Sequence, residues 1–220
     1  MPQTLSKSEY LVPKLLAILL FSPLMLVIAA AIKLEDGGPV LYKQKRVTRD
    51  GKVFDILKFR SMIVNAEKEG QVIPAVGNDP RITKVGSVIR KIRMDEIMQL
   101  FNILKGDMSV VGPRPERVEH VEKYSAEVPE WHFREKVKGG LTGYAQIFGK
   151  YNTSPYDKLR LDLMYIENYS FRFDLKLIIM TIRVLFSRES TEGFETQKAM
   201  DEKLESFLNE EKEDRPASGQ

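Results

Sequence analysis

The stretch "LLAILLFSPLMLVIAAAI", Leu15 to Ile32, limits the folds open to this chain more than any other feature. It holds 18 residues without a charge, between Lys14 and Lys33. As a helix it would measure about 27 Å, close to the roughly 30 Å hydrocarbon core of a bilayer. A helix buried in a soluble core keeps some polar face, and here only Ser22 is polar. The expectation is a membrane helix. A cleaved leader ending at Ala29–Ala31 fits less well, because the apolar stretch is long for a leader and a strongly basic flank follows it. That flank, Lys43, Lys45, Arg46, Arg49 and Lys52, puts the body of the chain in the cytoplasm by the positive-inside rule. Pro23 lies near the centre of the segment. It removes one backbone donor and kinks a helix, and Ser22 beside it can bond the freed carbonyl. A kinked helix with basic residues at both ends can return to the face it entered by. Prolines also occur in spanning helices, so the residues alone leave both paths open.

The 220 residues suffice for one domain with appendages. Without cysteine there are no disulfides, thiolate metal sites or cysteine nucleophiles, and two histidines, His120 and His132, are too few for a histidine-rich metal site. From Glu192 onward nine acids face four bases, a charge of −5, which leaves +8 on the 191 residues before it out of the total of +3. A basic body suits phosphates or anionic headgroups. Nucleic acid is not the expected partner, since no platform of interleaved aromatic and basic residues is present.

The expected fold class is α+β, mostly helical with small β-hairpin elements, an N-terminal membrane helix over 1–36, a catalytic domain over 37–190 and a charged tail over 191–220. "GPVLYKQKRVTRDGKVFDILKFRSM" reads as two strands around Asp50-Gly51, with Val53, Ile56, Leu57 and Phe59 buried. "RSMIVNAEKEG" suggests a short helix ending at Gly70, and "SVIRKIR" another capped by Ser87. Ile97, Leu100, Phe101 and Leu104 have helical spacing, with Gly106 as the stop, which makes Asp95 and Glu96 the first residues of an amphipathic helix. "KGGLTGYAQIFGKY" reads as a glycine-rich loop with strand-like pieces. Helices are expected over Tyr156–Ser170 and Asp174–Arg188, the latter either core or interfacial, and over the tail from Glu195.

At a helix N-terminus the positive end of the macrodipole favours ionised carboxylates and also attracts phosphate. Asp95 and Glu96 therefore suit a metal ligand or nucleophile with a supporting partner. Acids in a first turn are also ordinary capping residues. What weighs against that plainer account is the density of cations nearby: Lys58, Arg60, Arg81, Lys84, Arg90, Lys91, Arg93 and Arg114. Arg114 sits in "GPRPE", where two prolines fix φ on either side and ready the guanidinium to grip phosphate. Two acids among cations on a membrane-held domain point to phosphoryl chemistry at the bilayer surface, with Mg²⁺ to offset the repulsion between carboxylate and phosphate.

In blocks and in order from about Tyr10 to Ser187, the sequence resembles the bacterial sugar transferases, or monotopic phosphoglycosyl transferases. The blocks are the Ser22-Pro23 helix, the hairpin block quoted above, "NDPRITKVGSVIRK", "MDEIMQLFNILKGDMSVVGPRPE", "KGGLTGYAQIFGKY" and "LRLDLMYIENYSFRFDLKLIIMTI". The resemblance implies an inner-membrane enzyme, catalytic domain in the cytoplasm, that moves sugar-1-phosphate from a UDP-sugar to undecaprenyl phosphate and releases UMP. It implies Asp95 as nucleophile and Mg²⁺ ligand, and Glu96 as the residue that positions or deprotonates the lipid phosphate. Lys58, Arg60, Arg114 and Glu116 would serve phosphate and nucleotide, with Arg81 and Arg90 in the same basic set. The Ser22-Pro23 break would make the helix re-entrant. With no multi-span region ahead of it in this sequence, the expectation is the family's minimal form, and a homodimer is compatible with the sequence. The family's usual "KTSLDELPQL" is here "KIRMDEIMQL": Ile92 and Arg93 replace a small hydroxyl pair and Met98 a proline, which removes the N-cap hydroxyl and allows a different helix start. "GGLTGYAQIFGKY" also departs from the commoner "PGITGWAQVNGRN".

Two other functions fit part of the same pattern. A membrane-anchored phosphatase would also use Asp95 as nucleophile, but would release inorganic phosphate. A non-catalytic module binding anionic lipid would lose no turnover with Asp95→Asn.

Overall fold

The computed structural model describes residues 7–66, 79–149 and 153–186. Helix α1 runs over Lys7–Asp36 with Pro13 and Pro23 inside it. Pro23 has no N–H for the carbonyl four residues back, that of Leu19, and the Ser22 hydroxyl donates to that same oxygen at 2.7 Å. Its stretch Leu11–Asp36 is long and apolar enough to cross a membrane. Met25, Ile28 and Ile32, on one face, pack against Phe59, Ile89 and Ile97 of the body. Leu16, Leu19, Leu20, Leu26 and Val27 stay exposed. The end of α1 is held to the body by charge. Asp36 takes Arg60 through both oxygens, and Glu35 accepts the backbone amides of Lys84 and Val85 at 2.7 and 3.1 Å.

Those two amides open helix α2, Lys84–Lys91, whose cap is Thr83, accepting from the Gly86 amide at 2.9 Å. The expected Ser87 cap is therefore wrong by one turn: Glu35, from a distant element, supports an earlier start. Nor do residues 60–66 form the helix expected there. Met62 bridges to Ile82 and Asn65 adopts φ 62°, and what remains of that expected helix lies outside the described residues, as does the helix expected in the tail.

Strands β1, Leu41–Val47, and β2, Val53–Phe59, form the expected antiparallel hairpin, in register from Leu41 opposite Phe59 to Val47 opposite Val53. Asp50 and Gly51 both take positive φ in the turn. The buried set differs from the expected one: Val53 is exposed and Leu57 half-buried, and Phe54 is buried with Ile56 and Phe59. Successive strand residues face opposite sides, so Phe54, Ile56 and Lys58 share one face. Helix α3, Gln99–Lys105, covers it, and Ile103 and Met108 pack on Phe54 and Ile56. Asn102 locks helix to strand: its amide donates to the Asp55 carbonyl at 2.8 Å, and its oxygen accepts the Leu57 amide at 2.9 Å. Gly106 ends α3 at φ 91°, as its position predicts.

Strands β3, Ser109–Val111, and β4, Gly140–Thr142, pair in parallel. Their backbones meet so closely that a Cβ on Gly140 would lie 2.2 Å from the Gly112 amide nitrogen, which only glycine permits. Between them run α4, Val118–Glu127, and a 3₁₀ stretch, Pro129–Lys136. Helices α5, Tyr144–Phe148, α6, Pro155–Asn168, and α7, Phe171–Phe186, complete the described chain. Phe173 and Leu177 of α7 enter a core with Val111, Tyr144, Leu161 and Tyr165. Its opposite face exposes Phe171, Leu175, Ile179 and Ile182, so α7 is core on one side and apolar but uncovered on the other. Among the described residues the fold is mostly helical with two small sheets, which agrees with the α+β expectation, although the second sheet is a parallel pair and not a hairpin.

Candidate active site

Asp95 and Glu96 do not open an α-helix. Arg93 adopts a left-handed conformation, φ 54°, and Met94–Glu96 form a single 3₁₀ turn before α3 begins at Gln99. The altered start coincides with the missing hydroxyl cap, so the macrodipole of a long helix does not act directly on these acids.

Their surroundings instead separate the two. Glu96, 13 % exposed, accepts from Lys58 Nζ at 2.7 Å through Oε1, and takes Arg114 through both oxygens, Nη1 on Oε2 at 3.3 Å. Burial pushes its carboxyl upward, yet the guanidinium of Arg114 and the ammonium of Lys58 outweigh this and hold it well below the usual carboxylate range. Burial lowers Lys58, and Glu96 counters that; Arg114 is raised, chiefly by Glu96. Asp95 makes no ion pair with another residue among the described residues, and its carboxyl interacts with its own backbone amide. Burial raises its carboxyl above the usual 3.8, the charge of Glu96 adds to this, and Lys58 and Arg90 pull the other way.

The fold thus brings together Lys58, Asp95, Glu96 and Arg114, with Arg90 near enough to act on Asp95 through its charge. It commits other expected residues elsewhere. Arg60 is buried on Asp36 and on the carbonyls of Pro39 and Met62. Arg81 grips Asp79, Nε on Oδ1 at 2.9 Å and Nη2 on Oδ2 at 2.6 Å. Glu116 pairs with Lys158 and His120, one layer behind Arg114. Two residues at the site are not expected there from the sequence, in which Arg46 reads only as part of the basic flank. Arg46 follows Gln44 on the inward face of β1, and burial together with Arg114 lowers it to about 10. Its alternation with Lys43 and Lys45 is the signal that could have singled it out. Asn102, which sets α3 on β2, carries no such signal.

Among the described residues no group of three or more His, Cys, Asp or Glu could hold a metal. Asp95 is nevertheless an unengaged carboxylate beside a cationic site. That donor set fits Mg²⁺, which commonly takes one or two carboxylates and completes its shell with substrate phosphates and water.

An unpaired acid beside a paired one, ringed by cations and lying near a long apolar helix, is an arrangement suited to binding phosphate. The model of the family "Bacterial sugar transferase" matches residues 4–188, and the chain belongs to that family. A UDP-N-acetylgalactosamine-undecaprenyl-phosphate N-acetylgalactosaminephosphotransferase of Aeromonas hydrophila is 45% identical over 78% of this chain and 41% of its own length. A UDP-glucose:undecaprenyl-phosphate glucose-1-phosphate transferase of Escherichia coli is 43% identical over 81% of this chain and 39% of its own. The exopolysaccharide production protein ExoY of Rhizobium meliloti is 39% identical over 79% of this chain and 82% of its own. The chain spans about two fifths of the length of the first two.

Proposed function

We propose that the protein transfers sugar-1-phosphate from a UDP-sugar to undecaprenyl phosphate at the inner membrane, with UMP as the other product. The observation that carries this reading is the contrast between Asp95, half-buried and unpaired, and Glu96, locked between Lys58 and Arg114. In the first step an Asp95 oxygen attacks the phosphorus that bears the sugar, and the bond from that phosphorus to UMP breaks. In the second a phosphate oxygen of undecaprenyl phosphate attacks the same phosphorus and the Asp95 carboxylate leaves. Each displacement needs in-line placement and neutralised charge more than acid catalysis. Asp95 would hold Mg²⁺, which when bound offsets the charge of the phosphates.

Lys58 and Arg114 would neutralise charge on the phosphates. Glu96 suits positioning better than proton abstraction: a carboxylate held so far below its ordinary range is a poor base, while its three contacts fix both cations.

The same helix would place the protein in the membrane. Ser22 bonds the carbonyl that Pro23 frees, which would lower the cost of bending the helix there. Lys138, in the body, is lowered by burial, by Arg49 and then by Lys14 at the start of the apolar segment. A re-entrant helix would bring both of its basic ends to one face, and the basic flank after it would keep the domain on the cytoplasmic side. The uncovered face of α7 would rest in the headgroup region beside it.

The test is UMP release from UDP-glucose and UDP-N-acetylgalactosamine with undecaprenyl phosphate. Labelled sugar phosphate should be trapped on the wild-type protein and not on Asp95→Asn. Inorganic phosphate as the product would instead favour a phosphatase, and an Asp95→Asn protein of full activity would end the proposal.

A further inference from the structure

Four consecutive carbonyls of the loop carrying Arg114 are held from three parts of the chain, β1, β4 and the 3₁₀ stretch. That of Pro113 accepts the Gly140 amide at 2.9 Å, and that of Glu116 gives the same distance to the Val47 amide. The Pro115 carbonyl accepts Arg46 Nη1 at 3.1 Å, and the Arg114 carbonyl accepts Arg134 Nη2 at 2.8 Å. Of these donors, Arg134 alone holds the peptide of Arg114 itself.

Arg134 is in turn fixed on all sides. It is 5 % exposed, and its Nε and Nη2 meet Asp162 Oδ2 at 2.8 and 2.7 Å. Its guanidinium carbon lies 4.7 Å from the centre of the Trp131 ring. Asp162 is 1 % exposed. Burying such a pair yields little net stability over an apolar replacement. A buried fork that reaches a carboxylate and a carbonyl at once does fix a direction.

We infer that Arg134 is a positioning residue for the transfer: held by Asp162 and Trp131, it sets the Arg114 peptide and thereby the reach of that guanidinium onto Glu96 and the substrate phosphate. This rests on reading Arg114 as the group that grips phosphate. Lysine at position 134 keeps the charge and the partner Asp162 but lacks the second arm.

The test is a double-mutant cycle on UMP release by the full chain in lipid nanodiscs, with whichever of UDP-glucose and UDP-N-acetylgalactosamine turns over. Arg134→Lys should lower kcat/KM about tenfold, or about 1.4 kcal/mol. In an Arg114→Ala background the same change should cost less than about twofold, because both act through one group. Equal losses in the two backgrounds, or none in the wild type, overturn the inference. If Arg134→Lys does not fold, Asp162→Asn releases the same guanidinium and carries the same expectations. Where Arg114→Ala turns over too slowly to measure, the cycle is closed on calorimetric affinity for UDP. Full turnover by Arg114→Ala would sink the reading of Arg114 first, and this inference with it.

Discussion

Adjacent carboxylates whose surroundings push them in opposite directions should respond oppositely to loss of charge. Consider Asp95→Asn and Glu96→Gln, two substitutions of the same chemistry one residue apart. Glu96 is depressed in the folded state, so its contribution to stability is present above its unfolded value near 4.5 and is lost as pH falls below it. Neutralising it at pH 7 leaves Lys58 and Arg114 without the carboxylate they both touch. Breaking a buried pair costs about 3–5 kcal/mol, and relief of the burial cost of Glu96 itself places the loss near the lower end. For a chain of this size that lowers Tm by roughly 6–12 °C, at about 2–4 °C per kcal/mol. Asp95 is raised, so its share of stability is present below its unfolded value and is lost as pH rises through the folded one. At pH 7 its charge is a standing cost, and Asp95→Asn should raise Tm by a few degrees while abolishing transfer, the usual trade between stability and activity. The assay is thermal unfolding at pH 7 in nanodiscs beside UMP release. A Tm that shifts in the same direction for both variants would refute the electrostatic reasoning.

UMP release should fall on the acid side with a midpoint above the ordinary aspartate value of 3.8. In the residual activity of Glu96→Gln that midpoint should move down, and in Lys58→Met up, since Glu96 raises Asp95 and Lys58 lowers it; a pH–rate series from 4 to 8 reads both. Asn102→Ala leaves the Leu57 amide and the Asp55 carbonyl without partners, at about 1–3 kcal/mol for each buried group, and should lower Tm and UMP release together. Pro23→Ala restores a donor to the Leu19 carbonyl and should straighten α1 toward spanning. The chain has no cysteine, so a Gln3→Cys reporter should react with an impermeant maleimide from the periplasm only in that variant.

The parts of the fold legible in the sequence are those decided by local chemistry. Asp50-Gly51 tolerates the positive φ of the hairpin turn, Gly106 ends α3, and Ser22 bonds the carbonyl that Pro23 orphans. What stayed hidden depends on partners far along the chain. The start of α2 is set by Glu35 from α1, about fifty residues away. The face α3 presents is set by Asn102, a polar residue buried on β2, whereas the apolar spacing favoured Phe101, which is exposed. The candidate site divides along the same line. That Asp95 and Glu96 sit among cations was readable from composition. Which arginine serves them was not, because the bidentate grips of Arg60 on Asp36 and Arg81 on Asp79 are fixed only by the fold.

The 3₁₀ turn explains how two neighbours come to differ so much. Three residues per turn place successive side chains roughly 120° apart, so Glu96 can face Lys58 on β2 and the Arg114 loop while Asp95 points elsewhere. Asn102 holds α3, and with it this turn, against the strand that carries Lys58. The glycine contact between Gly112 and Gly140 brings the Arg114 loop up on the other side. The loop and the strand thus converge on one carboxylate from two directions, and the other carboxylate is left unclaimed. A nucleophile needs a free lone pair and cations close by that are not bound to it. Pairing Lys58 and Arg114 to Glu96 supplies both conditions at Asp95, and exchanging the two acids, Asp95→Glu with Glu96→Asp, should remove them together.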